Sequence, residues 1–178
     1  AVGADLINDI SGLSDPEALP AVAATSCGLC LMHMQGTPGT MQQQPAYADV
    51  VAEVAGFLAE RVAACRQAGI ADERLLLDTG FGFGKTLAHN LELFRHLPQL
   101  GGGFPLLVGV SRKSMLGAIT GKPVEERLAA SVAAAVLAAQ RGAAPVMREV
   151  AHHAARAGRQ VGEEGGNPSA TGQERRLA

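Results

Sequence analysis

The chain has 178 residues, of which 47% are hydrophobic and 18% charged, and its formal net charge is −2. That supplies apolar residues enough for one folded domain, while the near-neutral balance and six aromatic residues without tryptophan argue against a basic nucleic-acid groove or a ladder of stacking rings. Three cysteines make no disulfide framework, no run approaches the ~18 apolar residues of a membrane helix, and the first residues lack the pattern of a secretory signal, so the expected setting is the cytoplasm, with neither nucleic acid nor membrane as partner.

Residues 6–10, Leu6 Ile7 Asn8 Asp9 Ile10, read as a short strand, after which Ser14 could cap a helix and Glu17 close a capping box. Residues 29–34 read as a second strand. From 46 to 68 the residues Val50, Val54, Phe57, Leu58, Val62 and Cys65 recur at helical spacing, and Gly69 stands where a helix stops. A third strand is expected at 75–78. A short helix follows over 87–97, ended by Pro98, and Gly101 Gly102 Gly103 form a hinge before a fourth strand at 106–110. Pro123, Glu125 and Glu126 at one end and Arg141 and Gly142 at the other describe a helix whose stripe is Leu128, Val132, Val136 and Ala139. From Gly162 onward hardly an apolar residue appears, which divides the chain into a domain over 1–160 and a disordered tail over 161–178.

Strand and helix patterns alternate throughout, as in α/β units around a parallel sheet, and such folds place their sites at the carboxyl ends of the strands. Two strand ends stand out. Leu75 Leu76 Leu77 Asp78 runs into Thr79 Gly80 Phe81 Gly82 Phe83 Gly84 Lys85, and Leu106 Leu107 Val108 Gly109 Val110 runs into Ser111 Arg112 Lys113 Ser114. A carboxylate ending an apolar strand is expensive to bury unless it is paired or opens onto a site; the plainer role is to cap the next turn. The ending Gly84 Lys85 Thr86 invites comparison with a phosphate loop, but that motif needs a glycine at 79, where threonine stands. Cys27 and Cys30, with His33 beyond, form a lone CxxC; strand alternation sends Cys30 and His33 to opposite faces and a zinc site needs about four ligands, so metal chemistry is set aside.

These blocks, Leu6 to Ile10, Leu31 Met32 His33 Met34 Gln35 Gly36, Asp78 to Lys85 and Ser111 to Ser114, resemble in order the second half of the dihydropteroate synthases, a pterin-binding TIM-barrel family of folate biosynthesis that sulfonamides target. The resemblance implies a partial (β/α)8 barrel of about four to five β/α units, since a whole barrel takes about 250 residues. It implies a transferase that joins 7,8-dihydropterin-6-ylmethyl diphosphate to p-aminobenzoate, giving 7,8-dihydropteroate and diphosphate. By that resemblance Asp78 and Asn8 hold the pterin ring, Met32 packs on it, Gly82 lets the backbone approach, Phe83 borders the p-aminobenzoate pocket, Lys113 reaches the pterin, and Ser114 meets the carboxylate of p-aminobenzoate. Asp78 and Lys113 are the candidate catalytic residues. It further implies Mg²⁺ travelling with the diphosphate, its main protein ligand lying in a preceding part of the family sequence, and a homodimer.

Departures from the family pattern accompany the likeness. The family has proline where Thr79 stands, begins with further barrel strands and mobile loops, and ends a later strand in Arg-x-His-Asp, where this chain reads Pro145 Val146 Met147 Arg148 Glu149 Val150 Ala151 His152. The expectation is a fragment with an altered end and impaired activity, in which Arg148 is a possible stand-in for the phosphate-binding arginine, while His152 and His153 read as solvated. A non-catalytic pterin-binding half barrel and a pterin-dependent corrinoid methyltransferase domain are the competing readings.

Overall fold

A computed structural model describes residues 3–143; Arg148, His152, His153 and the boundary expected at 160 lie outside the described residues. Four strands, β1 (Leu6–Asp9), β2 (Gly28–Met32), β3 (Leu75–Asp78) and β4 (Leu106–Leu107), form a parallel sheet in the order β1-β2-β3-β4. Every connection steps to the next strand along, and right-handed crossovers that never reverse put all the helices on one side of the sheet. That is how a barrel is wound, whereas a doubly wound sheet changes direction partway. The four β/α units so formed agree with the expected partial barrel.

The strands alternate between two environments. Leu29, Leu31, Leu75, Leu77 and Leu106 share one buried cluster with Val54, Leu58 and Val62 of the long helix over 50–67 and Leu93 and Leu97 farther on. Cys30, Met32 and Asp78, in the opposite phase, are also buried but stand outside that cluster. One face of the sheet is thus fastened to helices, and the other carries the polar residues.

Around the sheet run helices α1 (Ala18–Ala23), α2 (Val50–Gln67), α3 (Leu87–Arg95), α4 (Leu97–Leu100), α5 (Ser114–Thr120) and α6 (Leu128–Gln140). Several bounds differ from those expected, each for a local reason. Ser14 and Glu17 form no capping box: the Ser14 hydroxyl donates to Ser11 O at 2.6 Å, Asp15 Oδ1 accepts from Glu17 N at 2.9 Å, and α1 begins uncapped at Ala18. Helix α2 starts at Val50 rather than 46 because Gln35 pairs through its amide with both backbone groups of Ala46, at 2.8 and 3.1 Å, holding that residue out of a helix. Asp49 then caps the helix, accepting from Val51 N and Ala52 N.

Pro98 does not end the third helix; it enters the first turn of α4, where its missing N–H is not needed. The β4 ladder covers two residues, although Val108 and Val110 continue into the core. Helix α5 starts where the sequence showed only a basic turn. The last helix is preceded by a 3₁₀ turn at Val124–Glu126 and packs through a face adjoining the one expected: Ser131, Ala134, Ala135 and Ala138 are buried, while Leu128, Val132 and Val136 are 41%, 39% and 52% exposed. Its packing face is made of small side chains, which let its backbone approach the neighbouring elements closely.

Candidate active site

The register of the ladders assembles the first half of the site. Asn8 lies opposite Cys30, and Met32 opposite Asp78; partners across a ladder share a face, as do residues two apart. Asn8, Cys30, Met32 and Asp78 therefore stand on the face turned away from the helices. Asp78 is 6% exposed, its Oδ1 accepts from Gly80 N at 2.7 Å, and its carbonyl accepts from His33 N at 3.0 Å, prolonging the β2–β3 ladder. Asn8 is exposed and Met32 buried. Burial and the Asp78 carboxylate push the Cys30 thiol up to about 12, so it is a packed, unreactive group. Among the described residues no three or more His, Cys, Asp or Glu side chains come close enough to hold a metal ion.

The glycine-rich turn after β3 is folded inward around a lysine. Gly80, Gly82 and Gly84 have φ of 66, 79 and 62°, a region that a side chain disfavours, and a Cβ on Gly80 would run into His33 O. Lys85, 4% exposed, donates from Nζ to Phe83 O at 2.9 Å, Gly80 O at 3.0 Å, His33 O at 3.3 Å and His33 Nδ1 at 2.9 Å. Its cation thus replaces the contacts a phosphate would make in a nucleotide loop with backbone carbonyls, which removes that reading. Burial pulls Lys85 down to about 7, against the upward pull of Asp78; burial and then Lys85 hold His33 down at about 4, so His33 is a neutral acceptor. Asn90 completes the support, with Oδ1 accepting from Gly82 N at 2.8 Å and Nδ2 donating to Thr86 O at 2.7 Å, and Tyr47 donates its hydroxyl to Gly84 O at 2.8 Å. Sequence reasoning missed Asn90 and Tyr47, and it set His33 and Lys85 aside for chemistry they do not perform. The signal for the lysine was its place at the end of a glycine run.

The second half of the site is brought together by contact. Lys113 Nζ lies 4.3 Å from the centre of the Phe83 ring, and its Cδ is 3.5 Å from where a Cβ on Gly82 would be. Ser114 opens helix α5 and is exposed. Lys85 links the halves, since the charges of both Asp78 and Lys113 act on it. The arrangement is a carboxylate and an amide on a sheet face, a thioether between them, and a cation held over an aromatic ring on the adjoining turn. A flat heterocycle with hydrogen-bond donors along one edge suits such a surface.

Comparison with known proteins follows the same lines. The family described as pterin binding enzyme matches residues 1–148. A dihydropteroate synthase of Escherichia coli is 55% identical over 143 residues, covering 80% of this chain and 51% of its own length, so the chain spans about half of that relative. A crystal structure of the Yersinia pestis dihydropteroate synthase in complex with a sulfonamide drug superposes with a TM-score of 0.77 at 46% identity, covering 89% of this chain and 61% of that one. The enzyme of Xanthomonas albilineans in complex with 7,8-dihydropteroate gives 0.73 at 51% identity, covering 79% and 53%.

Proposed function

Since the chain belongs to the pterin-binding enzyme family, we propose that it supplies the pterin- and p-aminobenzoate-recognising wall of a dihydropteroate synthase. In that reaction the amine of p-aminobenzoate attacks the methylene carbon of dihydropterin pyrophosphate, the C–N bond forms as the C–O bond breaks, pyrophosphate leaves with the electron pair, and the amine loses a proton. The observation that carries the proposal is the strand register that sets Asn8, Met32 and Asp78 on one face.

Each residue does a separate part of the recognition. The Asp78 carboxylate, oriented by the Gly80 N–H, accepts from the amino group and ring N–H of the pterin in charge-assisted hydrogen bonds. Asn8 reaches the same ring from β1, two strands from Asp78, and Met32 on the intervening β2 packs its thioether against the flat face. Gly82 admits the ligand close to the backbone, Phe83 borders p-aminobenzoate, Lys113 brings positive charge toward the reacting end, and Ser114 meets the p-aminobenzoate carboxylate. Magnesium, in this reading, enters with the pyrophosphate; among the described residues no three His, Cys, Asp or Glu side chains gather to hold it.

A cytoplasmic homodimer is part of the same proposal. Leu128, Val132 and Val136 form an exposed apolar stripe on α6 that suits a second copy of the chain. No helix is long and apolar enough to cross a membrane among the described residues, and neither membrane nor nucleic acid is a proposed partner.

Calorimetry with 6-hydroxymethylpterin tests the assignment. The unmodified chain binds it, and Asp78→Asn, which keeps the shape but loses the charge, weakens binding at least tenfold, because hydrogen bonds to a charged group are worth about 1.5–3 kcal/mol each. Equal affinity in the variant would remove Asp78 from the site, and no binding by the unmodified chain would remove the proposal itself.

A further inference from the structure

Arg112 is a strained residue between two anchors. Its φ is 55°, a left-handed conformation that a residue with a side chain keeps only when its surroundings impose it. The anchors both come from the start of α6. Arg112 N donates to Ser131 Oγ at 3.0 Å, and Arg112 O accepts from Arg127 Nη1 at 3.1 Å, with a longer contact of 3.5 Å from the same nitrogen to Lys113 O. Ser131, 2% exposed, passes its own proton back to Arg127 O at 2.6 Å, so one hydroxyl both accepts from the turn and fastens to the helix.

The guanidinium of Arg127 has a prepared seat. Its Nε donates to Lys122 O at 2.9 Å, and its planar head lies over Gly117 of helix α5, where an added Cβ would run into Nη2. Gly117 therefore does not serve the helix, in which glycine is a poor former; it makes room for the arginine. The fork geometry matters as well, since one side chain must reach carbonyls on both sides of α5 at once.

We propose that Arg127, seated on Gly117 and backed by Ser131, is a positioning residue that locks the Arg112 turn and so aims Lys113 at Phe83 and the pterin. The ligand half of this statement rests on the proposed function, whereas the clamp itself rests on the contacts above. Arg127, seated on Gly117, acts on the turn through its backbone carbonyls.

The test uses the full chain, with amide hydrogen exchange over residues 112–116 and calorimetric affinity for 6-hydroxymethylpterin read on the same samples. Arg127→Ala and Gly117→Ala each speed exchange in that segment at least tenfold, leave β2 and β3 protected, and weaken pterin binding at least fivefold; Arg127→Lys, which keeps the charge without the fork, falls between. Gly117→Ala separates the clamp from a plain helix effect, because alanine by itself favours the helix and would slow exchange. Unchanged or slower exchange in Gly117→Ala overturns the clamp. Faster exchange with undiminished affinity overturns its role in positioning Lys113. Should the unmodified chain bind no pterin, the functional reading fails and exchange alone decides whether Arg127 orders the turn.

Discussion

Thr79 is fully buried, and its hydroxyl has no hydrogen-bond partner among the described residues. A buried hydroxyl left without a partner costs about 1–3 kcal/mol, so Thr79→Val, which keeps the shape, is expected to raise stability by roughly 1 kcal/mol, read as a higher urea midpoint with an unchanged slope. A lower midpoint would mean that the hydroxyl is satisfied in solution. The neighbouring Lys85–His33 pair gives the fold a pH dependence whose sign can be worked out. His33 has a folded value of about 4 against an ordinary 6.5, so the unfolded chain takes up more protons between those limits and stability falls as pH drops from about 6.5 to 4, by about 3 kcal/mol at the lower end. Lys85, at about 7 against 10.5, adds stability as pH rises through that upper interval. His33→Gln, which keeps an acceptor for Lys85 Nζ, should flatten the acidic limb of a midpoint-against-pH curve; an unchanged limb would place the titrating group elsewhere. At this scale the sequence told much about where polar groups end the strands, because Asp78 closes β3 and Lys113 follows the run that begins at β4. It told little about the residues that support them. Spacing alone cannot reveal that Lys85 turns inward to carbonyls or that Arg127 lies across Gly117.

Helix α6 shows what periodicity can and cannot say. The spacing of Leu128, Val132 and Val136 identified a helix, yet the face that packs against the protein is the alanine face with Ser131, and the larger apolar residues point outward. Composition favours burying the larger side chains; close approach of α6 to its neighbours, together with the Ser131 bond to Arg112, selects the smaller ones. Helix α5 is not legible in the sequence because Ser114–Thr120 is short and shares only Ser114 with the basic turn Ser111 Arg112 Lys113 Ser114. If the exposed stripe is where a second copy sits, Val132→Lys together with Val136→Lys converts the dimer to a monomer in analytical ultracentrifugation and leaves the thermal midpoint of the monomer nearly unchanged, since surface substitutions away from buried features usually stay within about 0.5 kcal/mol. A chain that is monomeric before substitution contradicts the dimer, and a collapse in stability would show that the stripe is packed.

At the scale of the molecule, the alternation of strand and helix patterns foretold a parallel α/β sheet, and the four strands lie in that sheet in sequence order. What alternation could not give is register, and register is what sets Asn8, Met32 and Asp78 on one face while Leu29, Leu31, Leu75 and Leu77 hold the other to the helices. The glycine-rich turn, pinned by Lys85 and Asn90, then carries Phe83 to Lys113. The chain spans about half the length of its Escherichia coli relative, and these elements together build one polar surface. A crystal structure of the full chain with 6-hydroxymethylpterin bound would examine that surface most directly. The expected result is the amino edge of the ring on Asp78, its face against Met32 and Lys113 beside it; a pterin lying among the helices, or on the far side of the sheet from Asp78, would contradict it.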